Sequence, residues 1–317
     1  MSNATRPSWG AIVLTRGNRP ELLHRAVRSL LRQRDVDLDV VVVGNGWRPE
    51  GVPEGVKAVH LERDEGIPAG RNAGVPEVHG ELLFFLDDDA ELGEDDTLSR
   101  LEPLFHATHR LPGSEDSPLH IAGTVPAVAG TVPAVGLVQL RVEPREGSRR
   151  SRDWSPRVGS GGVDRSGEVT AVWEGAVAMP RKVFEEVGGW PSEFRFVHEG
   201  VDLAWRVMDA GHRVHYEAGV HVLHPAPPVN PTRHAYSTYY GARNRVWLAR
   251  RHLPLPLGVP YAASFLIRAL PRMREGRERR ALLRGYRDGV REPAGPRRPL
   301  SARTLWRMTR AGRPPII

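Results

Sequence analysis

Four short apolar runs mark the first ninety residues: Gly10–Leu14 (GAIVL), Asp39–Val43 (DVVVV), Val56–Leu61 and Leu82–Leu86 (LLFFL). Each has the length of a strand, and the lack of polar alternation in the first, second and fourth is the pattern of a sheet covered on both faces. Between the first two, Leu22, Leu23, Ala26, Val27, Leu30 and Leu31 recur at helical spacing, with Asn18 near the N-cap and Pro20 in the first turn. Gly66–Gly74 (GIPAGRNAG) reads as a glycine-rich loop leading into a short helix, and the fourth run passes straight into Asp87-Asp88-Asp89. Strand, helix, strand, strand, helix, strand predicts an α/β sheet whose ligand crevice lies at the carboxyl ends of the strands. Thr15, Gly44–Gly46 and Asp87–Asp89 all fall at those ends.

The pattern then loosens. Gly123–Ala129 (GTVPAVA) is repeated almost verbatim as Gly130–Gly136 (GTVPAVG), a duplication too short for a solenoid, which reads as a loop expansion before a strand at Gly136–Val142. Ser148–Gly167, rich in Arg, Ser and Gly, predicts a mobile loop. Regular structure resumes with Val169–Trp173, a helix at Arg181–Val187, a helix over roughly Val201–Ala210, and Arg213–Tyr216. After His224-Pro225 the prolines mark a boundary, and the remainder predicts helices over Tyr236–His252, about Val259–Leu270, and Glu275–Val290. The chain thus divides into a body, 1–230, and a helical extension, 231–317.

Composition changes this picture in three ways. The 317 residues are 40% hydrophobic and 26% charged, which excludes wholesale disorder. Cysteine is absent, which removes disulfides, thiolate nucleophiles and cysteine-ligated zinc, and fits a reducing compartment. Neither uncharged stretch, Ser117–Leu140 or Leu253–Ile267, makes a membrane span, because prolines interrupt the first and the second is too short. The N-terminus lacks the long apolar core of a signal peptide. The net charge of +7 is unevenly spread: 231–317 holds 20 arginines and four acids, a balance of +16, while 1–230 carries −9. An acidic body with a basic tail suits an anionic surface. Leu257–Leu270 and Arg272–Arg287 predict a tail docked on an anionic leaflet, with a solvated arginine face as the plain alternative. The tail has no zinc pattern, RNP-like strand or reading helix, which argues against nucleic acid.

Three aspartates behind a buried strand concentrate hard oxygen donors, and in extended chain Asp87 and Asp89 face the same way. Such donors suit Mg2+ or Mn2+ bound to phosphate oxygens, the alternative being a solvated acidic turn. The backbone at Gly70 and the Arg71 guanidinium are candidates for a diphosphate. His224 is a candidate third metal ligand, with His221 as the fallback. Trp173 and Glu174 supply an aromatic face and a carboxylate for a sugar. Asp202 and Arg206 have the spacing of a helical ion pair. Glu199 falls at a helix entrance, where the dipole lowers its pKa unless burial opposes it.

In this order, AIVLTRGNR (11–19), VVVVGNG (40–46), GIPAGRNAG (66–74), LFFLDDDAEL (83–92), GAVAMPRKVFEEVGGW (175–190) and EGVDLAWR (199–206) resemble the family 2 glycosyltransferases, inverting enzymes of the GT-A fold, over about residues 9–225. The resemblance implies a nucleotide-binding half at 9–92 and an acceptor half at 136–225. With the residues already singled out, the candidate donor contacts are Thr15, Arg19, Asn45, Gly70, Arg71, Asp87 and Asp88, the candidate metal ligands Asp87, Asp89 and His224, and the candidate acceptor contacts Trp173 and Glu174; of these the resemblance itself implies Thr15, Arg19, Asp87, Asp89 and His224. The base it implies is Glu199, with Asp202 or His198 as alternatives. The stretch Tyr239-Tyr240-Gly-Ala-Arg243-Asn244-Arg245 resembles the rhamnosyltransferase-like branch.

Two positions depart from the pattern: Gly44 stands where the family has an Asp that bonds the nucleobase, and Gly200 stands where the Asp of a Glu-Asp pair is usual. The implied function is transfer of a sugar from a nucleoside-diphosphate sugar to a glycan or lipid-linked acceptor in cell-surface polysaccharide or glycoconjugate synthesis. Its implied location is cytoplasmic, peripheral at the inner face of the plasma membrane. The competing readings are a degenerate, non-catalytic transferase, a basic membrane or nucleic-acid adaptor, and a nucleotidyltransferase.

Overall fold

The apolar runs pair into one mixed sheet. The structure, a computed structural model, describes residues 7–106, 133–145, 156, 158, 162–225 and 231–311. Strands β1 (Ser8–Thr15), β2 (Asp37–Asn45), β3 (Lys57–Leu61) and β4 (Leu82–Asp87) lie parallel in the order β3-β2-β1-β4. The sheet continues through β8 (Ala176–Pro180), antiparallel to β4, then β6 (Val135–Pro144), β9 (Arg213–His224) and β5 (Glu91–Leu92), while β7 (Gly167–Glu168) pairs with β9.

Strand alternation sorts the core into two layers. On one face Ile12, Val41, Val43, Leu83 and Phe85 pack with Phe184, Trp190 and Phe194. On the other, Ala11, Val13, Val42, Phe84 and Leu86 pack with Leu23, Val27 and Leu30 of α1 (Pro20–Leu31). Burying each large side chain contributes about 1.5–3 kcal/mol, which is why the uninterrupted runs become central strands.

The predicted glycine-rich loop is mostly helix. Only Gly66, at φ 92°, belongs to the turn, and α2 spans Ile67–Gly74. A Cβ on Gly70 would lie 2.4 Å from a Leu14 methyl, and one on Gly74 would lie 2.7 Å from Ile12 and 2.8 Å from Val43. Spaced i, i+4 on one face, these two glycines let α2 press onto the sheet.

Other boundaries also shift. The segment Val169–Trp173 lies outside any strand, and the strand beside β4 is Ala176–Pro180. Its alanines and terminal proline carry little strand preference, and pairing between β4 and β6 overrides that. The strand expected at Arg213–Tyr216 runs on to His224, across a register shift opposite Leu140 and Arg141. Helix α4 (Arg181–Val187) stands as predicted, and α5 begins two residues early at Glu199–Asp209. Helices α6 (Pro231–His252), α7 (Leu255–Ala269) and α8 (Gly276–Arg291) follow the predicted tail, and two further helices, α3 (Thr97–His106) and α9 (Ala302–Arg310), were not anticipated. Most of the 123–136 duplication and of the loop predicted at 148–167 lies outside the described residues.

Candidate functional site

Parallel register brings the strand ends together: Thr15 of β1 stands opposite Gly44 of β2, and Leu14 stands opposite Asp87 of β4. The chain turns just past Asp87, with the Ala90 N–H donating to the Asp87 carbonyl at 3.0 Å. This turn and the end of β9 place one ligand atom each from Asp87, Asp89 and His224 within 4.8 Å of one another. His224 Nε2 lies 3.1 Å from Asp89 Oδ1, and the Trp173 ring meets the imidazole edge-on at 5.1 Å. Burial opposes charge on both partners, yet the contact prevails, holding the Asp89 carboxyl below its ordinary value and His224 above its own. Two carboxylates and an imidazole fit Mn2+ or Mg2+. His221 is on the opposite parity of β9, packs toward Gly93 and is not in this cluster.

Two arginines flank the acids. Arg19, just before α1, bonds both Asp88 and Asp89. Thr15 Oγ1 donates to Asp88 Oδ2 at 2.6 Å, and Asp88, almost wholly buried, is raised to about 6 because desolvation outweighs Arg19 and Thr15. Arg71, only 2% exposed, donates to Asp87 Oδ1 at 2.7 Å and lies 4.9 Å above the Trp190 ring. Its second terminal nitrogen, Nη1, has no partner among the described residues, so the guanidinium still has a donor to offer.

A second pair of acids sits beside Arg71. Glu199 opens α5, is 2% exposed, and its Oε2 is buried without a partner among the described residues. Burial and the neighbouring Glu174 push its carboxyl up to about 8, against the pull of Arg71. Of the two cases the sequence left open at this helix entrance, burial opposing the dipole is the one found. Glu174 is raised as well, first by desolvation, and its Oε1 accepts the Gly200 N–H at 2.7 Å. A Cβ at position 200 would lie 2.6 Å from that oxygen and from the Val172 carbonyl, so no side chain fits there.

The alternatives to Glu199 are otherwise engaged. Asp202 is fully buried between Arg206 (2.7 Å), His252 (2.7 Å) and Arg251 (3.4 Å), as its helical spacing foretold for Arg206. Although burial opposes it, these partners hold its carboxyl well below the usual range. Desolvation and Arg245 push His198 down to about 4, and its ring bonds the backbone at Gly241.

At the far end of the crevice, a Cβ on Gly44 would lie 1.9 Å from the Trp47 carbonyl oxygen, so the turn after β2 demands glycine. Asn45 ties β2 to the next loop, donating to Asp64 Oδ1 at 2.8 Å and accepting the Glu65 N–H at 2.8 Å. Asp64 also bonds Arg16 and was missed in the sequence, where it is one acid among several in Glu62–Glu65. Trp190 and the Arg243-Asn244 pair were likewise unassigned.

Residues 11–110 match the model of glycosyl transferase family 2. No curated protein matches the chain. Among solved structures it is similar to the 1–349 fragment of S. aureus TarS, at 14% identity and a TM-score of 0.56 over 90% of this chain and 82% of that one. It is also similar to the mannosyltransferase PcManGT from Pyrobaculum calidifontis in complex with GDP-Man and Mn2+, at 18% identity and a TM-score of 0.52 over 98% and 80%. GalNAc-T7 with UDP, GalNAc and Mn2+ gives 13% identity and a TM-score of 0.56 over 92% of this chain and 57% of that one. At these identities the likeness is one of fold, the mixed α/β architecture named GT-A. The first third of the chain thus matches the glycosyl transferase family 2 model, and its sheet is folded like these transferases.

Proposed function

We propose that the chain moves a sugar from a nucleoside-diphosphate sugar to an acceptor hydroxyl of a glycan or lipid-linked acceptor, with inversion, and that Mn2+ or Mg2+ assists. The observation that carries this reading is the juxtaposition of the Asp87, Asp89 and His224 ligand atoms with buried Arg71 and the Glu199 oxygen that has no partner among the described residues. Asp87, Asp89 and His224 would hold the cation, which when bound would supply charge neutralisation to the diphosphate leaving group. Thr15, Arg19, Asn45 and Asp88 shape the donor end, where Asp64 supplies an acid that Gly44 lacks. Gly70 sets how closely α2 and Arg71 approach the diphosphate. Arg71 directs its spare donor to the oxygen that gains charge as the bond to the anomeric carbon breaks. Glu199 takes the acceptor proton as that oxygen forms the new bond. Trp173 and Glu174 line the sugar side. Both glycines that favour a degenerate enzyme have packing reasons, which supports a working one.

The test is nucleotide binding. With Mn2+ present, UDP, dTDP or GDP at a hundredfold excess over Kd is expected to stabilise the fold by about 2.7 kcal/mol, roughly 4 °C in Tm for a chain of this length. A flat response to all three would remove the donor site. Acceptor-dependent release of the nucleoside diphosphate separates sugar transfer from nucleotidyl transfer.

The proposal extends to the unit 231–317 as a membrane-facing annex of the 1–230 transferase domain, acting at the inner face of the plasma membrane in cell-surface polysaccharide or glycoconjugate synthesis. Among the described residues no helix is long and apolar enough to cross a membrane. Helix α7 instead buries Gly258 and Tyr261 while leaving Leu255, Val259 and Ile267 at 74%, 63% and 70% exposure on its outer face. Exposed Arg268, Arg272 and Arg274 follow, a cationic edge matching an anionic leaflet. The protein is expected to float with anionic liposomes and not with zwitterionic ones, and to lose flotation in a Leu255→Asp/Val259→Asp/Ile267→Asp variant. Sedimentation with both lipid types would reject the annex role.

A further inference from the structure

The transfer chemistry makes no use of Tyr239-Tyr240-Gly241-Ala242-Arg243-Asn244-Arg245, the stretch set apart in the sequence. In α6 it lies against residues 193–198, the turn that delivers Glu199. That turn is strained: Arg195, Val197 and His198 have φ of 64°, 65° and 71°, the left-handed region that a β-branched valine adopts least readily. Strain of this kind costs of order 1–3 kcal/mol per residue and persists only where the surroundings impose it.

Helix α6 imposes it. The Asn244 amide nitrogen lies 2.9, 2.8 and 2.7 Å from the carbonyl oxygens of Phe194, Phe196 and Val197, sharing two hydrogens among three acceptors. Arg243 Nε donates to the Asn244 side-chain oxygen at 3.0 Å, which fixes the amide's orientation, and its Nη2 donates to the carbonyls of Glu193 and Phe194 at 3.0 and 3.1 Å. The rings of Phe194 and Phe196 meet Trp247 and Tyr236, and His198 bonds Gly241. Asn244 itself is fully buried. From the other side, the Arg195 carbonyl accepts the Ile67 N–H at 2.9 Å, and Arg195 Nη2 donates to the Asp64 carbonyl at 2.9 Å. The turn therefore bridges the donor end of the crevice and the start of α5.

We infer that Asn244, oriented by Arg243, is a positioning residue for sugar transfer: by tying three carbonyls of the strained turn it sets the first residue of α5, and hence the Glu199 carboxylate, beside Glu174 and Arg71. The inference rests on Glu199 being the base. It makes the C-terminal extension part of the catalytic apparatus, although no residue of α6 belongs to the acidic cluster.

A base displaced by about 1 Å loses on the order of a hundredfold in rate while the donor contacts stay in place. In the full chain, Asn244→Ala is expected to lower kcat at least tenfold, with KM for the nucleotide-sugar and the thermal shift from Mn2+ plus nucleotide altered less than twofold. A folded Asn244→Ala protein with kcat within twofold of wild type overturns the inference, and so does a parallel loss of kcat and donor binding. Should Asn244→Ala not fold, Val197→Gly/Asn244→Ala is the readout, since glycine adopts the required φ unaided. That double variant is expected to fold and to work within tenfold of wild type, and failure on either count overturns the inference. Glu199→Gln measured alongside keeps the two readings apart. Turnover retained there removes the base, whereas its loss with Asn244→Ala fully active removes only the clamp.

Discussion

Asp89→Ala is expected to reduce turnover by about a thousandfold or more, because a bound cation is worth several kcal/mol of charge stabilisation in the transition state. Asp89 is the joint of the cluster: it holds His224 at 3.1 Å through one oxygen and Arg19 through the other. Its loss would leave Arg19 with Asp88 and would take from the imidazole the carboxylate that, ahead of Asp87 and the Pro225 carbonyl, raises its affinity for a proton. Stripping one partner from a buried charge pair costs about 3–5 kcal/mol, so the variant is checked first by circular dichroism and melting. Asp89→Asn, which preserves shape, is the companion measurement. Calorimetric titration of Mn2+ in the presence of UDP should show the metal heat lost in both variants. Equal activity in wild type and Asp89→Asn, with the metal still bound, would overturn the assignment of Asp89 as a ligand.

How far the sequence foretells this site depends on how local the cause of each feature is. The strand ends are legible because apolar runs report burial directly, and the parallel register of β1, β2 and β4 then sets Thr15 opposite Gly44 and Asp87 one position away, opposite Leu14. The Asp202–Arg206 pair is legible from helical spacing alone. His224 lies 135 positions from its partner Asp89, and its place after an apolar run, the need for a third ligand and the family resemblance were what suggested it. The glycines were harder. Gly44, Gly70 and Gly200 each answer to a neighbour remote in sequence or hidden in a turn, namely the Trp47 carbonyl, a Leu14 methyl and the Glu174 carboxylate. A motif view reads the first and third as losses of function and the second as a phosphate loop, while steric contact explains all three. The proton affinity of Glu199 stayed open for a related reason: the dipole is visible in the sequence, but desolvation by a folded core is not.

Glu199→Gln should lower kcat by about a hundred- to ten-thousandfold, the usual contribution of a positioned base, with donor KM nearly unchanged. Its pH signature is more specific than the loss itself. In wild type the carboxyl is pushed up to about 8, so at neutral pH most molecules carry it protonated and idle. Turnover should therefore climb close to tenfold per pH unit on the acid side and level off near 8. Removing the second negative charge with Glu174→Gln should draw that limb to lower pH, because Glu174 is the charge that raises Glu199 after burial. Stability moves the opposite way. The folded state binds this proton more tightly than the unfolded chain, so its contribution is complete below pH 4.5 and is lost as pH rises through about 8. Glu199→Gln carries no such titration, so its Tm relative to wild type should improve steadily across that window. A wild-type rate profile flat from pH 5 to 8, together with a Tm difference that does not change with pH, would show that this carboxyl is not the group that accepts the proton.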